Sequence, residues 1–356
     1  MAPRVGLIEK YRGRLPVGRG TPVVTLLEGD TPLVPAPRLA RRAGLPETAV
    51  HLKIEGANPT GSFKDRGMTL AISKALEQKA RGVLCASTGN TAASAAAYAA
   101  RARLRCVVLL PAKGVALGKL AQALMHGAEV LSVRGNFDQS LALALAAAEE
   151  AGWTVVNSVN PYRLQGQKTA AFEIAETLGR FPDYQFMPVG NAGNITAYWI
   201  GYRELVGLCR GKPPAMMGWQ AAGAAPIVLG RPVAEPKTLA SAIRIGNPVS
   251  WKRALEARDQ SEGLIGKVTD REILSAYRLL AEEEGVFCEP SSAASAAGLL
   301  RFAGSGGFRR TDKKALRVVC ILTGHGLKDP EAPKLLRHRF RETAPELSAI
   351  RKVLAS

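Results

Sequence analysis

The sequence predicts an α/β protein with two domains, each built on a mostly parallel, twisted sheet flanked by helices. Three observations support this class. The 356 residues exceed one ordinary domain, and 47% of them are apolar, which is enough for sizeable cores. Short β-branched runs alternate with longer Ala- and Leu-rich segments of helical periodicity. This alternation is typical of right-handed crossovers between parallel strands, whose ligands bind beyond the carboxyl ends of the strands.

The elements follow from these runs in chain order. Short runs rich in Val, Ile and Leu predict strands at 51–55, 83–87, 106–111, 129–133, 154–158, 184–190, 216–222 and 317–323. The segments between and after them predict helices at 63–79, 91–102, 117–126, 137–151, 165–178, 195–208, 270–284 and 291–302. Neither a repeat nor a long flexible linker marks a domain boundary.

Residues 58–67, NPTGSFKDRG, lie just after a predicted strand and open a predicted helix. Their proline and glycine favour a tight turn, and Ser62 is positioned to cap the helix. Lys64 then lies in the first helical turn, where the helix dipole disfavours a cation. With Arg66 nearby, this field favours the neutral amine, the form that attacks an aldehyde. An exposed lysine in a capping turn is the alternative, which the full ten-residue string disfavours.

Residues 87–91, STGNT, also follow a predicted strand and precede an Ala-rich helix. Their small side chains let backbone N–H groups approach a ligand, and a helix N-terminus attracts a carboxylate or phosphate. Asn90 offers a donor and an acceptor to a ring hydroxyl. Taken alone, the segment is equally compatible with a simple helix cap.

Residues 188–194, PVGNAGN, connect a predicted strand to a predicted helix. Two glycines permit positive φ, and successive N–H groups form a concave anion site at the helix start. The spacing fits neither a Walker loop nor a dinucleotide-binding loop, which leaves a single phosphate as the expected ligand. A tight strand-to-helix turn is the alternative.

Residues 322–329, LTGHGLKD, end an apolar strand. Thr323 places a neutral hydroxyl at the strand tip, where it can hydrogen-bond a pyridine nitrogen. His325 lies between two glycines. Two roles stay open for it, a catalytic base or a structural residue of the turn.

The four motifs together predict a pyridoxal 5'-phosphate site. Lys64 supplies an amine for the aldehyde, and Asn90 a partner for the ring hydroxyl. The 188–194 turn accepts a single phosphate, and Thr323 faces the pyridine nitrogen.

These motifs resemble those of bacterial threonine synthases, which are fold type II pyridoxal-phosphate enzymes similar to tryptophan synthase β. The likeness extends to 28–33, EGDTPL, and to 289–292, EPSS. It implies a smaller domain of 58–160 inserted into a larger domain of 1–57 and 161–356, with the active site in the cleft and a homodimeric assembly. It also implies conversion of O-phospho-L-homoserine and water to L-threonine and phosphate.

The resemblance also implies individual roles. Lys64 forms the internal aldimine, Asn90 contacts the ring 3-hydroxyl, and Thr323 meets the pyridine nitrogen. The cofactor phosphate is assigned to Gly190, Asn191, Ala192, Gly193 and Asn194. Substrate binding is assigned to Ser87, Thr88, Thr91, Asn157, Ser158 and Arg163. Of these, Ser158 and Arg163 are the candidates for the substrate's phosphate, which suits an arginine fork.

Two other classes of function stay open. A serine/threonine dehydratase or a cysteine synthase shares the fold, but dehydratases usually have a phosphate loop of glycines alone, whereas Asn191 and Asn194 interrupt it here. The net charge of +18 is compatible with a nucleic-acid-binding protein. The basic residues are spread along the chain and only 6% of residues are aromatic, so a basic solvated surface is favoured and no nucleic-acid partner is expected.

The remaining features indicate a cytoplasmic protein. Five cysteines form no CxxC pair and are odd in number, so neither a disulfide framework nor a metal site is expected. The N-terminal residues lack the apolar segment of a signal peptide, and no apolar run is long enough for a membrane span.

Overall fold

A computed structural model describes residues 4–87, 89–111, 117–134, 137–308, 315–336, 342 and 345–354. The strands in these ranges are β1 (Leu33–Pro35), β2 (Val50–Ile54), β3 (Gly82–Ala86), β4 (Arg105–Pro111), β5 (Glu129–Val133), β6 (Thr154–Val155), β7 (Tyr184–Pro188), β8 (Ala215–Ala221), β9 (Leu264–Val268) and β10 (Val318–Leu322). The α-helices are α1 (Leu7–Lys10), α2 (Pro37–Arg42), α3 (Lys64–Glu77), α4 (Asn90–Arg101), α5 (Leu117–Met125), α6 (Phe137–Ala151), α7 (Pro161–Gln167), α8 (Thr169–Leu178), α9 (Gly193–Glu204), α10 (Pro226–Leu229), α11 (Trp251–Gln260), α12 (Asp270–Glu282), α13 (Pro290–Gly304) and α14 (Leu347–Leu354).

The larger sheet has six strands in the order β1-β2-β10-β7-β8-β9. Its strands pair in parallel except for β1, which runs antiparallel to β2. Strand β10, near the end of the described chain, pairs with β2 in the register Val318 to Val50, so the two ends of the sequence share one sheet. The prediction of mostly parallel pairing is confirmed.

The smaller sheet has four parallel strands in the order β5-β4-β3-β6. All of its strands come from residues 82–155, and those of the larger sheet lie before and after this stretch. The division into an inserted domain of 58–160 and a larger domain stays a prediction as far as its boundaries are concerned.

Both faces of each sheet are covered by helices. In β10, Val318, Cys320 and Leu322 pack with α12 and α13 residues, while the alternate residues Val319 and Ile321 pack with α8 and α9 residues. Successive strand side chains point to opposite faces, so a strand buried on both faces needs a continuous apolar run. This is why β10 is predictable from its sequence. Within the described residues, no helix is long and apolar enough to cross a membrane.

The predicted elements differ from the observed ones in several respects. The helices α1, α2, α10, α11 and α14 were not predicted. Strands β1 and β9 were not predicted, because β1 has three residues and β9 is a partly exposed edge strand containing Gly266 and Lys267. The strand predicted at 154–158 ends at Val155, and beyond it the Asn157 amide bonds the Ala86 backbone. The helix predicted at 165–178 begins at Pro161 and is divided into α7 and α8.

Candidate functional site

The turn before Lys64 is fastened to the end of β10. The Phe63 N–H donates to the Thr323 carbonyl at 3.0 Å, and Ser62 forms an isolated bridge with Gly324. Gly61 in this turn has φ +84°, a conformation that favours glycine. The structure thus brings together the predicted lysine and the predicted strand-tip threonine, although 259 residues separate them in the sequence (323 − 64).

Asp65 stabilises this turn through hydrogen bonds. Its carboxylate accepts from the Thr60 N–H at 2.7 Å, from the Thr60 hydroxyl at 2.6 Å and from the Ser94 hydroxyl at 2.6 Å. Burial raises the pKa of Asp65 to about 6. These bonds connect the turn to α4, so Asp65 fixes the place where α3 begins. Ser62 contributes little as a cap, because its Oγ accepts from the Lys64 N–H at 3.4 Å and the N-cap position is Phe63.

The Lys64 amine is electrostatically prepared to be neutral. Burial and, to a smaller extent, the cation of Arg163 together lower its pKa to about 7, while Glu289 opposes this shift. The amine also lies 4.3 Å from the centre of the Phe63 ring. A lysine with a pKa near 7 is half deprotonated at neutral pH and can attack a carbonyl carbon. The expectation that Arg66 acts on Lys64 is wrong: the Arg66 guanidinium points away, into a buried network with Glu55 and Glu173.

Asn90 is the first residue of α4, and its side chain is buried. Its Nδ2 donates to both carboxylate oxygens of Glu289, to Oε2 at 3.0 Å and to Oε1 at 3.3 Å. The Thr323 hydroxyl lies 3.4 Å from Glu289 Oε1 and 2.9 Å from Ser292 Oγ. The structure therefore joins the two residues predicted at the ring edge, Asn90 and Thr323, through one carboxylate.

The 190–194 segment forms the N-terminus of α9. Ala192, not a glycine, adopts the left-handed conformation with φ 63°, which corrects the expectation that the two glycines do so. A glycine at 190 is favoured for a different reason, because a Cβ there would lie only 3.1 Å from the Cα of Ile243. Asn191 is anchored: its Oδ1 accepts from the Val249 N–H at 2.9 Å.

Asn194 tests whether this turn suits a ligand. Its side-chain oxygen and nitrogen are both buried, and neither has a hydrogen-bond partner among the described residues. Buried polar atoms are nearly always paired in folded proteins, so these two atoms indicate a missing partner. The amide lies in the first turn of α9, where backbone N–H groups and the helix dipole favour an anion. The turn therefore fits a phosphate group.

The predicted substrate residues have different surroundings. Ser87 and Thr91 are partly exposed, and a Cβ at Gly89 between them would meet nothing within 4 Å, so this helix start is open. Thr88 lies outside the described residues. The Ser158 hydroxyl accepts from Asn191 Nδ2 at 3.0 Å, which joins the predicted substrate segment to the predicted phosphate turn.

Asn157 and Arg163 are more deeply enclosed. The Asn157 amide donates to and accepts from the Ala86 backbone, both at 2.8 Å, so it also fixes the strand end before Ser87. Arg163 donates to the Val156 carbonyl at 2.8 Å, and its Nε is buried without a partner in the described part of the chain. Burial lowers the pKa of Arg163 to about 10. An under-satisfied buried cation is a candidate for anion recognition.

Helix α7 connects the parts of the site. A Cβ at Gly67 of α3 would lie 2.6 Å from Arg163 Nε, and one at Gly193 of α9 would lie 3.5 Å from the Leu164 side chain. The helix that carries Arg163 therefore packs between the helix of Lys64 and the helix of the phosphate turn.

Three residues that brace the candidate site were not predicted. Asp65 was assigned no role from the sequence, although it follows Lys64 directly. Glu289 was noted only as part of the segment EPSS at 289–292, although an acidic residue that is buried at a helix start is unusual. Lys328 donates to the Thr60 carbonyl at 3.1 Å and contacts Gln122, so it also braces the turn. His325 accepts from the Leu327 N–H at 3.2 Å, which supports the structural alternative for it.

Comparison with known proteins adds the family. A family model for pyridoxal-phosphate dependent enzymes matches residues 24–324. A threonine synthase from Synechocystis sp. is 59% identical, over 92% of this chain and 84% of that protein. A threonine synthase from Mycobacterium bovis is 57% identical, over 92% and 90%. One from Methanocaldococcus jannaschii is 49% identical, over 91% and 81%.

Solved structures are similar in fold. Maize serine racemase superposes with a TM-score of 0.70 at 20% identity, covering 91% of both chains. Threonine deaminase isoform 2 from Solanum lycopersicum superposes with a TM-score of 0.73 at 22% identity, covering 87% of this chain and 89% of that one. These similarities confirm the predicted fold type II architecture.

Proposed function

The chain belongs to the pyridoxal-phosphate dependent enzymes, and from that premise we propose that it is a threonine synthase, a lyase that converts O-phospho-L-homoserine and water to L-threonine and phosphate. Among the features of the site, one carries this proposal: Arg163 is a buried, incompletely satisfied cation next to the reactive Lys64. A substrate with a phosphate leaving group needs such a donor, whereas serine and threonine do not.

The cofactor is pyridoxal phosphate, which when bound supplies an electron sink for negative charge on substrate carbons. We assign its aldehyde to Lys64, its ring hydroxyl to Asn90 and its pyridine nitrogen to Thr323. We assign its phosphate to Gly190, Asn191, Ala192, Gly193 and Asn194. The unpaired amide of Asn194 and the open N-terminus of α9 support the last assignment.

Lys64 has a second task after the substrate amine takes its place. The freed amine, with its pKa lowered to about 7, can accept and return protons at Cα and Cβ of the substrate near neutral pH. Water must reach Cβ of the substrate only after the phosphate has gone, so we expect part of the site to close over the bound substrate.

We place the substrate between the start of α4 and α7. Its phosphate is assigned to Arg163 and Ser158, and the remaining contacts to Ser87, Thr88, Thr91 and Asn157. The hydrogen bond between Ser158 and Asn191 supports this placement, because it keeps the substrate segment next to the cofactor's phosphate turn. The hydrogen bond between the Asn157 side chain and the Ala86 backbone is compatible with a role for Asn157 in supporting the same pocket.

The dehydratase alternative is less well supported. The threonine synthases compared above share about half or more of their residues with this chain, whereas the tomato threonine deaminase shares 22%. A cysteine synthase or dehydratase also has no requirement for a buried cation at the leaving group. Nucleic-acid binding has the net charge alone in its favour.

A product assay tests the proposal. The purified enzyme, loaded with pyridoxal phosphate, is given O-phospho-L-homoserine, L-threonine and L-serine in separate reactions. We expect threonine and inorganic phosphate in equal amounts from the first, and little keto acid from the other two. Faster keto-acid formation from serine or threonine would instead establish a dehydratase.

We further propose a cytoplasmic homodimer. All five cysteines are free, four of them buried, which suits a reducing compartment. The dimer is carried over from the resemblance, and light scattering of the purified protein measures it directly; a mass of one chain, 37.8 kDa, would contradict it.

A further inference from the structure

Glu289 stands out as a buried carboxylate at the centre of the site. It precedes α13, and only 3% of its surface is exposed. Its side chain makes no capping hydrogen bond to the helix backbone, so it does not serve the usual purpose of an acidic residue at a helix start. Instead its carboxylate lies between Asn90 and Thr323, 3.0 Å from Asn90 Nδ2 and 3.4 Å from Thr323 Oγ1.

A carboxylate at this place determines how Asn90 is oriented. An ionised carboxylate only accepts hydrogen bonds, so Asn90 must turn its NH2 group toward Glu289. One N–H is then used, and the second N–H stays available for an oxygen on the ligand. A neutral glutamine at 289 both donates and accepts, and would permit either orientation of the Asn90 amide.

The charge of Glu289 also acts on Lys64. The groups that act on Glu289 are Lys64 and Lys328, together with hydrogen bonds from Asn90 and Ser291, and Glu289 in turn acts on its neighbour Cys288. Arg163 and Cys85 act electrostatically on Lys64 in addition to Glu289. Burial raises the pKa of Glu289, and these hydrogen bonds and cations oppose the rise. Burying a charge is costly, and the hydrogen-bond partners of Glu289 are neutral. The presence of a carboxylate at this position therefore needs a reason.

We propose that Glu289 is a positioning residue for the cofactor ring: it fixes the Asn90 amide and supplies the negative charge that faces the Lys64 nitrogen. The inference rests on the proposed cofactor site and deepens it. Glu289 acts through Asn90 and through its field on Lys64, and it transfers no proton in this role.

The test compares Glu289→Gln with the wild type as holoenzymes, by absorbance. The pH at which the visible band of the Lys64-bound cofactor changes is measured, together with the dissociation constant of pyridoxal phosphate. Removing a negative charge makes the protonated nitrogen less stable, so we expect the transition to move to lower pH by about one unit. Loss of the fixed amide is expected to weaken cofactor binding about tenfold.

Two further variants separate charge from structure. Glu289→Asp keeps the charge but shortens the side chain, so we expect weaker cofactor binding with a transition near the wild-type pH. Ser295→Ala removes a buried hydroxyl of the same helix, which donates to the Ser292 carbonyl at 2.8 Å, and is expected to change neither quantity.

An unchanged transition and unchanged affinity in Glu289→Gln would overturn the inference while leaving the proposed function intact. If Glu289→Gln does not fold, a transition in Glu289→Asp displaced by a full unit would overturn it equally. A wild-type protein without a visible cofactor band would defeat the proposed function itself.

Discussion

Two buried arginines on neighbouring helices differ in whether buried carboxylates pair with their guanidinium groups. Arg66 on α3 and Arg163 on α7 are each 1% exposed. The two helices pack closely because each has a glycine where the other helix approaches it. A Cβ at Gly166 of α7 would lie 1.9 Å from the Arg66 carbonyl oxygen, and one at Gly67 of α3 would lie 2.6 Å from Arg163 Nε. The same packing therefore buries both guanidinium groups.

Arg66 is fully neutralised. It donates to Glu55 at 2.6 and 2.8 Å and to Glu173 at 2.6 Å through two nitrogens, and further to Thr31 and Thr169. The two carboxylates raise its pKa well above the ordinary arginine value, despite burial, which acts in the other direction. Lys53 joins the network at 2.7 Å from Glu173.

Arg163 lacks this compensation. It has the Val156 carbonyl as a partner, and the carboxylate that acts on it, Asp65, already accepts from Thr60 and Ser94. Burial alone therefore does not distinguish an arginine with a structural role from a candidate binding residue. The distinction lies in whether the protein itself supplies the counter-charge.

The largest effect is expected from Arg66→Met. It leaves the buried Glu55 carboxylate without its cation and Glu173 with Lys53 alone, so we expect a loss of about 3–5 kcal/mol in the free energy of unfolding. Denaturant unfolding measures it. Arg278→Met, which removes an exposed arginine paired with Glu282, is the control and should cost less than about 0.5 kcal/mol. A similar small loss for both variants would contradict the structural role of Arg66.

Arg163→Met is expected to have the reverse profile. The free energy of unfolding should fall by less than about 1 kcal/mol, because a poorly compensated buried charge is removed along with one hydrogen bond. The kcat/KM for O-phospho-L-homoserine should fall about a hundredfold, roughly 2.7 kcal/mol. Steady-state kinetics measure it, with the exposed Arg278→Met as control. Equal losses of substrate use and cofactor affinity would show that Arg163 serves the cofactor instead.

The pH dependence of cofactor capture tests how the charge of Arg163 acts on Lys64. In protein stripped of pyridoxal phosphate, the capture rate should rise with pH and level off above the Lys64 pKa of about 7. Arg163 is a cation that disfavours the charged lysine, so Arg163→Met should raise this midpoint by about one unit and slow capture at pH 7. Stopped-flow absorbance follows the reaction. A midpoint that stays in place in Arg163→Met would mean that burial alone sets the Lys64 pKa.

The smallest effect concerns a free anion. Inorganic phosphate added to the holoenzyme should stabilise the wild type by about 1 kcal/mol when present at several times its dissociation constant. Thermal unfolding detects this shift, which should be absent in Arg163→Met. Equal stabilisation of both proteins would place the phosphate elsewhere.

Much of the fold is predictable because its signals are local. Strands such as β3 and β10 are continuous apolar runs, and helices such as α4 are uninterrupted Ala-rich segments, so their periodicity is legible without any knowledge of contacts. The same holds for Lys64, Asn90 and the 190–194 turn, whose residue types suit their proposed roles at the starts of helices. Strands β1 and β9 escaped prediction because edge strands need no apolar run.

The amino-acid order is thus sufficient for the fold class, for most of the longer elements and for a choice of candidate cofactor residues. It is not sufficient for the state of each charge. Arg66 receives its counter-charges from Glu55 and Glu173, which are 11 and 107 residues away, and Glu289 meets Asn90 across 199 residues. A charge in a protein interior is governed by the groups that packing brings within a few ångströms, and no local pattern records which groups those are.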